Sequence, residues 1–190
     1  MHSPVRRAVL RSRLVLTLCG LAAEALHLGW EHRHGVVQAH HLLDDPSLPA
    51  ISNWWGLLVV PLLVWFTLGR IQRRAATLVQ AGSRERFATL VRLRFVLALA
   101  WGGALALAYA HGHPLVGALF LGTFAIAPVV QGYRAEYLLG FALGMTFTFG
   151  AAFPVLAACV VALFAWLTRL LVGALARLGG GGRVRGAGLP

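Results

Sequence analysis

The side chains of this chain that could do chemistry are concentrated between Glu24 and Asp45. That stretch holds Glu24, His27, Glu31, His32, His34, His40, His41, Asp44 and Asp45, which is five of the eight histidines and four of the six acidic residues. Imidazole and carboxylate together can ligate zinc, iron, manganese or copper. A carboxylate beside a metal-bound water can then act as general base. Residues three or four apart share a helix face, which pairs Glu24 with His27 and His27 with Glu31. If residues 36–45 are helical, the same spacing pairs His40 with Asp44 and His41 with Asp45. A ligating histidine usually donates its second ring N–H to a carboxylate or carbonyl, so such pairs suit a metal centre.

A second segment, His111-Gly-His113-Pro114, adds two more imidazoles. The sequence therefore predicts a divalent transition-metal site, with zinc or iron best matched to the donors. Its ligands would be drawn from His27, His32, His34, His40, His41, Asp44, Asp45, His111 and His113, with Glu24 and Glu31 as catalytic bases. Haem held axially by His27 and His111 is an alternative cofactor. Histidines and acids at a membrane boundary can also be plain solvated surface or helix caps. Glu24 and His27 weigh against that reading, because an apolar helix tolerates them only if they face protein or a cavity.

Familiar metal motifs do not match. His27-Leu-Gly-Trp-Glu31-His32 is one residue longer than H-x-x-E-H, and H-E-x-x-H does not occur. Asp44-Asp45-Pro-Ser-Leu lacks the third acid of D-D-x-x-D. His113-Pro114-Leu-Val-Gly117 begins like the H-P-x-x-G-x-D-H signature, but Leu119 and Phe120 stand in place of its closing Asp and His.

The elements that must hold these residues are apolar. Of 190 residues, 58% are hydrophobic and 12% charged, about half the charged share of a soluble domain. All 17 basic residues are arginine, and the net charge is +11. In so apolar a chain that surplus points to orientation in a bilayer and contact with anionic lipid; no nucleic-acid motif accompanies it. Cys19 and Cys159 lie in apolar runs without a C-x-x-C pair and read as buried structural thiols.

The expected fold is all-α, a polytopic integral membrane bundle of about six transmembrane helices. The spans fall near residues 14–30, 53–69, 95–110, 115–130, 137–151 and 154–172. Residues 137–166 carry no charge and would form a helix of about 45 Å, so a break is expected at Gly150-Ala-Ala-Phe-Pro154. Ser52 is placed to cap the second span. Gly82-Ser83 is expected to turn the Arg70–Arg94 loop, and residues 176–190 to form a flexible tail. Gly102, Gly103, Gly117, Gly122, Gly140 and Gly144 would let helices approach closely. An alternative takes residues 1–25 as a cleaved signal peptide.

The arginine-rich segments put both termini in the cytoplasm and all the histidines except His2 at the outer face of the inner (plasma) membrane. Trp30, Trp54 and Trp55 would form an aromatic rim there. These features predict a metal-dependent membrane enzyme acting on a lipid-like or apolar substrate. A metal or small-molecule transporter, a metal-handling protein and a non-catalytic membrane subunit are the alternatives. Expected partners are membrane lipids, an apolar substrate and further copies of the chain, and no nucleic acid.

Overall fold

The computed structural model describes residues 4–37, 39–41, 47, 49–78 and 81–180, with backbone alone at residues 4–6, 40, 81, 179 and 180. Among these residues there are six α-helices: α1 (Pro4–Arg33), α2 (Gly56–Ala76), α3 (Ala81–Ala110), α4 (Val116–Val130), α5 (Ala135–Phe149) and α6 (Ala152–Gly180). A two-stranded antiparallel ribbon, β1 (Ala39–His41) with β2 (Ala50–Ser52), lies between α1 and α2. Three stretches are long and apolar enough to cross a membrane: Asn53–Ala76, Gly82–Ala110 and Ala152–Leu178. Helices α4 and α5 are apolar but shorter. At 15 residues each they reach about 22 Å, less than a hydrocarbon core of roughly 30 Å.

Among the described residues, half of the buried apolar ones are alanine, beside larger ones such as Leu105, Phe141 and Met145. Ala98, Ala106, Ala142, Ala158 and Ala165 are buried, while Leu26, Val129, Leu171 and Leu178 face outward. Small residues inside and large apolar ones outside is the distribution that lipid, as the surrounding solvent, tolerates. The tightest helix pair is α3 with α5. Gly140 faces the Phe95 carbonyl, Gly144 that of Leu99, and a Cβ at Gly102 would lie 2.5 Å from the Phe141 carbonyl oxygen. The expectation for Gly117 and Gly122 does not hold, since a Cβ at either would meet nothing within 4 Å.

Contacts between helices define two ends of the bundle. Helices α1 and α2 are antiparallel: Arg13 Nε donates to the Trp65 carbonyl at 2.8 Å, and Glu24 lies against Gly56. Helix α5 runs antiparallel to α2, with Glu136 at Arg74 and Gly150 at Asn53. Tyr109 stacks near Phe149 with ring centroids 4.7 Å apart, which brings the end of α3 to the end of α5. The α6 residues Val161 and Ala165 pack with Ala127 of α4, near its far end. One end of the bundle thus collects the start of α1, the α2–α3 connection, the start of α5 and the arginine-bearing half of α6. The other end carries the end of α1 from Glu24, Asn53, the 111–113 turn and the α5–α6 break.

Several boundaries differ from the sequence reading. The expected break is present, because Gly150 adopts φ +66° and separates α5 from α6. Ser52 does cap, accepting from the Trp54 backbone N–H, but it caps a short 3-10 turn (Asn53–Trp55) ahead of α2. Gly82-Ser83 does not turn the chain; both residues lie in the first turn of α3, and the turn comes earlier. Residues 39–41 are a strand and not part of a helix, with His40 opposite Ile51 and His41 opposite Ala50. Gly35 at φ +153° stops α1, and the β-branched pair Val36-Val37 continues in extended chain. The tail expected to be flexible from 176 is helical to Gly180, and residues 181–190 lie outside the described residues.

Candidate functional site

Helix α1 carries Glu24, His27 and Glu31 on one face, as their spacing requires. His27 Nδ1 lies 3.9 Å from Glu24 Oε2, and its Nε2 lies 3.6 Å from Glu31 Oε1. The imidazole therefore lies between two carboxylates. Both distances exceed a direct hydrogen bond, so a shift of a few tenths of an ångström to about 1 Å would be needed to form one. Unliganded sites commonly hold their acid–base partners slightly apart.

The neighbours fix this row. Asn53, 3% exposed in the 3-10 turn, donates Nδ2–H to Glu31 Oε1 at 2.9 Å. Phe147 of α5 packs its ring 5.2 Å from that of His27. Glu24 is 4% exposed, and its Oε1 has no hydrogen-bond partner among the described residues. A buried carboxylate oxygen without a partner is costly, and the cost is accepted mainly where function uses the group. Gly56 makes room for it: a Cβ there would lie 2.6 Å from Glu24 Cδ and nearer still to Oε1.

Glu24 and His27 line one end of a cleft of 780 Å³ between α1, α2, α3 and α5. The walls beyond them are apolar, including Leu16, Val60, Leu139 and Leu143, and the far end reaches Arg92 and Glu136. A smaller cavity of 290 Å³ lies between α3, α4, α5 and α6. Its indole donor, Trp101 Nε1–H, is spent on Thr123 Oγ1 at 3.0 Å. No carboxylate or imidazole lines it, so the larger cleft is the chemically equipped one.

The described residues do not by themselves assemble the expected metal centre. Among the described residues, no three His, Cys, Asp or Glu side chains come together so as to hold a metal ion. Glu24, His27 and Glu31 do not fit one ion, because the two ring nitrogens diverge and the carboxylates lie on opposite sides of the ring. His32 is exposed. His34 donates Nδ1–H to the Trp30 carbonyl at 2.8 Å and stacks on the Trp30 ring, closing the end of α1. His41 is exposed on β1. His111 is exposed in the α3–α4 turn, and His113 Nδ1 accepts from the Leu115 N–H at 3.2 Å, tying that turn. The His40 side chain, Asp44 and Asp45 lie outside the described residues. For haem, His27 has both ring nitrogens turned to carboxylates, which does not suit axial ligation paired with His111.

Asn53, Phe147 and Gly56 belong to the site but were not read from the sequence as parts of it. Their contribution depends on α2 and α5 arriving beside α1. Trp30, Trp54 and Trp55 are each more than half exposed at this end. Comparison of the chain with known protein families, curated proteins and solved structures finds no match.

Proposed function

We propose that this is a membrane-embedded acid–base enzyme that takes a lipid-like molecule into the cleft and converts it by proton transfer to and from its polar end. The observation that carries the reading is Glu24: a buried carboxyl with an unpartnered oxygen, bordering an apolar cleft and backed by His27 and Glu31. In this reading Glu24 takes the proton from the ligand or returns it. His27 passes it on to Glu31, which Asn53 holds in place. The apolar walls keep bulk water from the exchange and accept the hydrocarbon part of the ligand.

The six helices are proposed to be six spans, with the basic end in the cytoplasm and the Glu24–His27–Glu31 row near the outer face of the inner membrane. Gathering of the arginine-bearing segments at one end supports this orientation. Helices α4 and α5 would cross with local thinning of the bilayer or with their flanking turns inside it.

The test is a comparison of membrane lipid extracts from cells producing the wild-type chain, Glu24→Gln or His27→Gln at equal abundance. The reading requires a lipid-like species that changes with the wild type and with neither variant. Identical extracts from all three, with the protein folded in the membrane, would remove it.

A further inference from the structure

The basic end of the bundle carries a second site. Glu136, in the first turn of α5, is fully buried, and both of its oxygens are engaged. Arg74 of α2 donates Nη1–H to Oε2 at 2.9 Å, and Arg94 of α3 donates Nη1–H to Oε1 at 3.2 Å. Each guanidinium has five N–H groups, and Glu136 takes one from each. Both side chains stay partly exposed, Arg74 at 35% and Arg94 at 24%, so the pairs are not sealed from their surroundings.

Arg134 is the third cation of the group. Its guanidinium is held below its ordinary pKa by burial first and by the charges of Arg74 and Arg94, with Glu136 opposing. It stays protonated, as arginine does in proteins. It also makes no side-chain cap to α5 and no hydrogen bond or ion pair among the described residues. Arg134, at the N-cap position of α5 and two residues before Glu136, adds a third guanidinium to a partly desolvated corner in which Arg74 and Arg94 share one carboxylate, and the start of α5 adds further positive potential. Among the described residues no second carboxylate pairs with this surplus. A tetrahedral phosphate matches it in charge, and forked guanidinium donors match it in geometry.

The surroundings decide where such a phosphate comes from. Glu136 and Arg92 line the cleft at this end, next to Leu68, Phe95 and Leu139. A soluble anion would have no use for those apolar walls, whereas a phospholipid would lay its chains along them. We infer that Arg74, Arg94 and Arg134 form a headgroup site for an anionic phospholipid of the cytoplasmic leaflet. The inference rests on the membrane orientation proposed above but not on the acid–base role of Glu24.

The test uses the full-length protein in detergent micelles, titrated with three probes. These are a phospholipid with an anionic phosphodiester headgroup, a zwitterionic phospholipid with the same chains, and inorganic phosphate. The anionic lipid should bind at least about tenfold more tightly than the zwitterionic one, the scale of one charge-assisted hydrogen bond. Arg134→Gln should erase that preference without lowering thermal stability, because Arg134 takes no part in the Glu136 pairs. Arg86→Gln, on the exposed face of α3, should leave the preference intact. Glu24→Gln should leave it intact too, which separates this site from the acid–base reading. Equal binding of the two lipids, or an Arg134→Gln protein with its preference unchanged, would overturn the inference. Inorganic phosphate binding as tightly as the anionic lipid would overturn the assignment to a lipid.

Discussion

Adding one methyl group at Gly56 should disable the site while leaving the fold in place. A Cβ at this position would sit 2.6 Å from Glu24 Cδ, against ordinary van der Waals contact at about 3.5 Å. The Glu24 carboxyl must therefore retreat by roughly 1 Å or more, and a shift of that size in a reacting group can cost about 100-fold in rate. Overpacking of this kind costs about 1–3 kcal/mol, partly offset because alanine is a better helix former than glycine by about 1 kcal/mol. The expected phenotype is a folded protein with most of its lipid conversion lost. Gly29→Ala is the control, since a Cβ there meets nothing within 4 Å. The assay pairs thermal unfolding in detergent with conversion of the lipid species identified from wild-type membranes. If Gly56→Ala converts that lipid at the rate of Gly29→Ala, the carboxyl position does not matter and the reasoning fails.

Other consequences follow from the packing and the charges. Glu136→Gln leaves Arg74 and Arg94 without their buried partner. The cost should lie near the lower end of the about 3–5 kcal/mol for breaking a buried pair, because both arginines are partly exposed, and thermal unfolding reads it. Gly144→Val should prevent α3 and α5 from closing and yield aggregated protein in size-exclusion chromatography, whereas Gly122→Val, in open space, should elute normally. Removing metals with a chelator should leave lipid conversion unchanged, since His27 directs both ring nitrogens at carboxylates. Loss of conversion that zinc or iron restores would return the metal reading.

Much of the architecture was legible because lipid-exposed helices are written as apolar runs. The limits of α3 at Ala110 and of α4 near Val116, and the break at Gly150, follow from such runs and from their glycines and prolines. The spacing of His40, His41, Asp44 and Asp45 would suit a helix over residues 36–45, but Gly35 ends α1 and residues 39–41 pair as a strand, while Asp44 and Asp45 lie outside the described residues. Within the site, Glu24, His27 and Glu31 were readable because all three lie on one helix. The density of histidines suggested a metal, yet spacing along a chain does not reveal which way ring nitrogens point. His34 and His113 tie helix ends and turns instead. The Arg74–Glu136–Arg94 group joins three helices, so no local pattern announces it. Its one sequence signal was an isolated acid at the arginine-rich end of the bundle.

The measurement closest to the centre of this account is carboxyl labelling in native membranes. A hydrophobic carbodiimide, which reaches carboxyls from the lipid phase, is compared with a water-soluble one, and modified peptides are located by mass spectrometry. Glu24 should be the residue modified by the hydrophobic reagent and spared by the soluble one, with Glu136 protected by its two arginines and Glu85, exposed on α3, open to the soluble reagent. An unmodified Glu24, or one labelled equally by both reagents, would contradict a carboxyl poised in a lipid-accessible cleft.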